Sequence, residues 1–235
     1  MCYFVRFVLL MCVSMLTHAQ PALCSSDGQP TPPALLERVI NADCDTCWVD
    51  PQSPHASNHE LVLDWIVPGA LGDRAPLSIA ASRDSAARLL QRGLAHPDSV
   101  SHTRAVVVGL PGITVRVAHG VAVGGYVGAS IRLTLEKGVN LKLPLQVWVA
   151  LVEALPTGTE GSPVDRNLVR NVLQPLWDMH DPLSIANGVN LWELRPMNLG
   201  EGVQPQRVRL AAWLEDAQGQ VLTAALSHCP PEDPQ

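Results

Sequence analysis

Two thiols three positions apart, Cys44 and Cys47 in Ala42-Asp43-Cys44-Asp45-Thr46-Cys47-Trp48, are the side chains of this sequence best spaced to do chemistry. A Cys-x-x-Cys holds two sulfurs within bonding reach and suits three chemistries: a redox-active dithiol, a structural disulfide, or half of a metal site. A redox pair needs one sulfur as thiolate near neutral pH, normally supplied by a helix N-terminus or a nearby cation. Here Asp43 and Asp45 flank Cys44, and the stretch Asp50-Pro51-Gln52-Ser53-Pro54 behind Cys47 has no helical period. Both features work against a stabilised thiolate, so a structural Cys44–Cys47 disulfide ranks ahead of a redox pair. The metal alternative adds His55 and His59, four apart, to the two thiolates, a set that suits zinc. Loop histidines and oxidised sulfurs are the simpler reading, and no metal is expected.

The elements that position these sulfurs come next. Leu35-Leu36-Glu37-Arg38-Val39-Ile40 reads as a strand ending at the cysteines, and Leu61-Val62-Leu63-Asp64-Trp65-Ile66-Val67 as a strand buried on both faces. Asp64 inside that run must be hydrogen-bonded or protonated, because a bare carboxylate does not tolerate apolar burial. A helix is expected from about Pro76 to Leu90, with Ile79, Ala86 and Leu90 on its apolar side and Gly93 as its stop. From Arg104 onward the chain changes character: Ala105–Val108, Ile113–Ala118, Tyr126–Leu135, Leu145–Leu155, Asn190–Leu194, Val208–Asp216 and Val221–Leu226 read as short strands, with Asp216-Ala217-Gln218-Gly219 as a hairpin turn. Residues 162–174 are ambiguous: Ser162, Pro163 and the spacing of Val164, Leu168 and Val172 suit a helix, whereas Pro175 and the surroundings suit a strand. Gly124-Gly125-Tyr126-Val127-Gly128 lacks the strand-to-helix setting of a dinucleotide site, and no nucleotide, hydrolase or calcium-loop motif occurs, so no cofactor is expected. Glu160, Arg166 and Arg170 suit an ion-pair network that fixes a loop.

Residues 1–19 read as an export signal: Arg6, an apolar run from Phe7 to Leu16, then Thr17-His18-Ala19 before Gln20. The run is too short to span a bilayer, so no stable membrane span is expected after cleavage. Residues 20–33 form a Pro- and Ser-rich leader. The chain carries a net charge of −6 and only two lysines, Lys137 and Lys142, which opposes nucleic-acid binding. Cleavage leaves four cysteines, Cys24, Cys44, Cys47 and Cys229, with three possible pairings. If Cys44 takes the near Cys47, Cys24 pairs with Cys229; the alternative leaves these two as free thiols. The expected location is exported, periplasmic or secreted.

On these pieces the chain resembles a secreted bacterial family of unknown function whose first half is thioredoxin-like and whose second half is β-rich. The matching segments are the strand before Cys44-Asp45-Thr46-Cys47, then Leu63-Asp64-Trp65, Asp73 through Leu90, Val152-Glu153, Gly158-Thr159-Glu160-Gly161, Asn167-Leu168-Val169-Arg170, and the hairpin from Ala212 to Ala225. The resemblance implies an α+β chain: a degenerate thioredoxin-like portion over 34–103, followed by a mostly antiparallel, sandwich-like portion over 104–235. It also implies that Asn167–Arg170 is a strand. Should the dithiol be redox-active, Cys44 would attack and Cys47 resolve, Pro111 would be the proline facing the sulfurs, and Asp64 would move protons. The leading functional expectation is instead a binding or scaffolding role towards an unknown protein partner in the cell envelope, with thiol-disulfide exchange as the enzymatic alternative.

Overall fold

In the computed structural model, residues 24–230 are described; the expected export signal with Cys2 and Cys12, and the first part of the expected leader, lie outside them. The alternating runs form strands. Tyr126–Leu135 (β6) buries Val127, Ala129, Ile131, Leu133 and Leu135 and turns Tyr126, Gly128 and Arg132 outward, the two-residue period of a sheet with one dry face. Its partners are Ile113–His119 (β5) on one side and Val189–Asn198 (β9) on the other, with Cys24–Ser25 (β1) added beyond β5; every pairing in this four-stranded sheet is antiparallel.

A second sheet has seven strands. Its order is Val221–Leu226 (β11), Val208–Glu215 (β10), Gln146–Leu155 (β7), Arg166–Leu173 (β8), Leu61–Val67 (β3), Ala34–Asn41 (β2) and Val100–Val106 (β4). It therefore draws strands from both sides of residue 104. β2 lies parallel to β3, and β3 meets β8 in parallel through Asp64 and Leu168, while the remaining pairings are antiparallel. β7 and β10, inside the β11 edge, are buried on both faces. Val147, Val149, Leu151, Leu210, Ala212 and Leu214 face the small sheet and form the sandwich core with β5 and β6. Trp148, Ala150, Trp213 and Ala211 point the other way and need cover of their own. The sheet supplies it by curling into a half-barrel, which brings Leu35, Val39, Leu61, Leu63 and Trp65 of β2 and β3 round to the same core.

The expected α+β, thioredoxin-like architecture of the first portion is thereby corrected: the described chain is nearly all β. A buried parallel strand pair is what suggested a βαβ unit. Here the crossover between β2 and β3, residues 42–60, contains no helix, and the sheet's own curl covers the strand face that flanking helices cover in a thioredoxin. The longest helix among the described residues is Arg83–Gln91 (α1) of nine residues, begun by Ser82, whose hydroxyl accepts from the Ser85 amide at 3.0 Å. Before it, Ser78–Ala80 is only a 3₁₀ turn. The expected apolar side of this helix is also corrected, since Ile79 and Leu90 are 69% and 82% exposed, and Ser85, Arg88 and Leu89 face inward. Residues 166–173 are a strand because β7 and β3 hold them from both sides; the Ser162 hydroxyl accepts from Arg166 Nε at 2.8 Å instead of capping a helix. A second short helix, Pro182–Ala186 (α2), precedes β9.

Cys24 is bonded to Cys229, 205 residues away, and Ser25 and His228 exchange backbone hydrogen bonds of 3.0 and 2.8 Å beside it. The two outermost described segments are thus sewn together against β5.

Candidate functional site

Cys44 and Cys47 form a disulfide in the turn that leaves β2. Cys47 is 7% exposed and Cys44 half-buried. Cys47 and Trp48 pack with Ile40, Ile66, Ala75, Leu155 and Leu168 in a small apolar cluster on the outer face of β2, β3 and β8. No helix starts at the cysteines, so no helix dipole faces the sulfurs. Asp43 is already engaged: its carboxylate accepts from the amides of Ala70 (2.7 Å) and Leu71 (3.2 Å). Gly69 makes that approach possible, because a Cβ there would lie 2.2 Å from Asp43 Cγ.

Asp64 sits behind this loop as the hub of a buried ion network. Its Oδ2 accepts from Arg38 Nη2 at 2.8 Å and from the Asn167 amide at 3.0 Å, and its Oδ1 from Arg166 Nη1 at 2.8 Å. The two arginines then reach outward. Arg38 donates to the carbonyls of Pro54 (2.8 Å) and Asp165 (2.7 Å), and Arg166 to the carbonyl of Trp48 at 2.8 Å, while its guanidinium lies 4.5 Å from the Trp48 ring centroid. One carboxylate thus anchors a helix-free crossover by its carbonyls. Both carboxylate oxygens of Asp64 are taken up by these three donors. Of the other residues named for a charged network, Arg170 pairs with Glu153 at 2.7 Å and Glu160 is exposed.

The remaining candidate residues are dispersed. Pro111 is exposed and follows the Val106 end of β4, whereas Cys44 follows the Asn41 end of β2; because Ala34 pairs with Val106, the two lie at opposite ends of the strand pair, about 20 Å or more apart. The one cis peptide among the described residues is Leu143–Pro144. His55 and His59 are exposed, and His59 lines a separate shallow groove with Pro30, Glu60 and His228. With both sulfurs of the Cys-x-x-Cys in their bond, these four residues offer no thiolate set.

His119 lies under the other disulfide, its ligand atom within 4.8 Å of both the Cys24 and Cys229 sulfurs. Its Nδ1 donates to the Gly120 carbonyl at 3.0 Å, while Nε2 is buried without a partner among the described residues. Burial, followed by the nearby Arg209 charge, holds its pKa below the usual histidine value. The unfolded chain therefore binds a proton near pH 6.5 that the folded chain refuses, so this group's contribution is intact above that pH and falls as pH drops through it. His119→Asn, which keeps the donor to Gly120, is expected to flatten the loss of stability between about pH 7 and pH 5, read from urea midpoints at several pH values.

A feature that sequence reasoning missed lies at the mouth of the half-barrel. Arg88 of α1 is 2% exposed. It grips Glu37 through Nε (2.9 Å) and Nη2 (3.0 Å), and Glu215 through Nη1 (2.9 Å) and Nη2 (2.6 Å). Burial opposes its charge, but the two carboxylates outweigh burial and raise its pKa. Its guanidinium lies 4.7 and 5.3 Å from the rings of Trp148 and Trp213, which are themselves stacked with centroids 5.7 Å apart. Glu215 continues to Arg92 at 3.5 Å, and there the network meets a groove of about 810 Å³. The end of α1, the start of β7, residues 174–180 and the turn at 216–219 form its walls. Its signal in the sequence is slight: glutamines at 91, 146, 174 and 218, brought together only by folding.

No family model matches the chain and no curated protein matches it, so the resemblance to a secreted bacterial family has no family match behind it. Among solved structures it is similar to the crystal structure of chicken MD-1 complexed with lipid IVa, at 12% identity and a TM-score of 0.24, over 52% of this chain and 93% of that one. A score that low does not establish a shared fold. Two disulfides fit an exported protein, and no helix among the described residues is long and apolar enough to cross a membrane.

Proposed function

We propose that this chain is an exported, periplasmic or secreted binding protein, with a scaffolding role in the cell envelope, in which the Cys44–Cys47 bond is a structural staple. The observation that carries this reading is the Asp64 hub. Through Arg38 and Arg166 it fixes the carbonyls on either side of Pro51, and Cys47 is buried against Trp48's cluster instead of standing at a helix N-terminus. A sulfur so held is a poor target for an incoming thiolate. The groove beside Arg92 supports the binding half of the reading, since its volume falls in the range of about 300–1,000 Å³ usual for ligand pockets.

Redox titration of the mature protein, with alkylation and peptide mass mapping, tests it. The Cys44–Cys47 bond is expected to resist reduction to below about −300 mV, and Cys44→Ser with Cys47→Ser to cost about 2 kcal/mol, the loop-closure value for so short a ring. A bond that opens reversibly between about −120 and −270 mV, with exchange activity lost in the double variant, overturns the reading in favour of a thiol-disulfide oxidoreductase.

A further inference from the structure

We infer that the groove at the mouth of the half-barrel binds a neutral oligosaccharide, with Trp177 as the stacking surface and the amides of Gln146 and Gln174 as the groups that read its hydroxyls. This rests on the binding-protein reading and names the ligand class. The amides along the wall are chained. Gln174 Nε2 donates to Gln91 Oε1 at 3.3 Å, and Gln91 Nε2 donates to Gln146 Oε1. The chain is directional, so it ends in an unused acceptor, Gln174 Oε1, and an unused donor group, Gln146 Nε2, neither with a partner among the described residues. A hydroxyl both donates and accepts, and a row of them on a sugar complements such a pair of ends.

Charge excludes the obvious competitors. Arg92 is the only arginine or lysine on the groove walls, and it is already matched by Glu215 at 3.5 Å and by the Gly219 carbonyl at 3.2 Å. Asp178 and Asp216 add negative charge, so a phosphate or carboxylate ligand meets no free permanent cation and two further anions. An acyl chain fares no better, since covering the glutamine amides with hydrocarbon leaves polar groups unpaired at about 1–3 kcal/mol each. Trp177 provides the aromatic element a sugar ring needs: one part of the indole packs on the sandwich core and it is also part of the groove wall.

The test titrates the mature protein with cellotetraose, chitotetraose and maltotetraose, with trigalacturonate and laurate as charged and acyl comparators, followed by calorimetry and tryptophan fluorescence. At least one neutral tetrasaccharide is expected to bind with a Kd of about 1 mM or tighter. Trp177→Ala should weaken it at least about tenfold, and Gln174→Ala about threefold or more. Trp177 touches the core, so near-ultraviolet circular dichroism checks its variant; Gln174 lies at the half-buried wall, and its truncation leaves both cores intact. Binding of no neutral probe at about 10 mM, binding of a comparator alone, or undiminished binding by a folded Gln174→Ala protein overturns the inference. Each of those results, alongside a reduction-resistant Cys44–Cys47 bond, removes the ligand class and leaves the parent reading standing; a bond opening at exchange potentials removes the parent.

Discussion

Replacing Asp64 by alanine is expected to leave no stably folded protein. Asp64 and Arg166 have side chains 0% exposed and Arg38 1%, and among the described residues the carboxylate is the only anion bonded to either guanidinium. Deleting one partner of a buried ion pair costs about 3–5 kcal/mol, because the other charge stays behind in a dry site. Here two charges stay behind, so the loss should exceed about 5 kcal/mol, comparable with the whole stability of many domains. The damage has a direction as well. Arg38 and Arg166 hold Pro54 and Trp48 by their carbonyls, so residues 42–60 should become the first site of proteolytic cleavage. Urea unfolding and limited proteolysis check both points. A folded Asp64→Ala protein that loses less than about 2 kcal/mol would show that water reaches the arginines and that the hub is not closed.

Arg88→Met should be nearly as damaging, for the opposite electrostatic reason. Methionine roughly fills the volume beside the stacked Trp148 and Trp213, but four hydrogen bonds vanish, Glu37 loses its guanidinium partner and Glu215 keeps only Arg92 at 3.5 Å. A loss of about 4–5 kcal/mol is expected, most of it from desolvated like charge and not from lost packing. The control is the triple variant Arg88→Met, Glu37→Gln, Glu215→Gln, which removes the charges and should recover about half of the loss. Equal instability of single and triple variants would assign the cost to packing against the tryptophans and falsify the electrostatic account. Arg88→Lys should fall near the methionine variant, since an ammonium cannot fork to two carboxylates and lie flat against the tryptophan pair at once.

The strands were legible one at a time and their arrangement was not. Tyr126–Leu135 announces itself by apolar alternation, Val221–Leu226 by a short, nearly continuous apolar run, and the turn at Asp216 by its residues: Gly219 N bonds to the Asp216 carbonyl at 2.9 Å while the Asp216 carboxylate accepts from Gln218 and Gln220. The apolar run at Leu61–Val67 correctly signals burial on both faces. It carries no information on whether helices or a curled sheet do the burying, and that is where the thioredoxin-like expectation went astray. Arg88 was invisible for a related reason. On a helical wheel an arginine beside Leu89 and Leu90 reads as solvent-facing, and only partners 51 and 127 residues away reverse that. Pairing Cys24 with Cys229 was one of the readings the four thiols left open, conditional on Cys44 taking the near Cys47 and weighed against free thiols, whereas the groove needed the whole fold.

The bond between Cys24 and Cys229 also decides how this molecule carries mechanical load. Tension applied through the segments that flank the two cysteines runs across one sulfur-sulfur bond and bypasses both sheets, because the chain between them, a sequence separation of 205, hangs from it as a closed loop. While the bond is intact, stretching the chain cannot peel β1 from β5 or shear the sandwich. Once it is reduced, the same pull reaches every strand in turn, and a hidden length of about 700 Å becomes available to the chain. A protein at a strained envelope surface would behave as an inextensible link in oxidising surroundings and as a long, compliant tether in reducing ones.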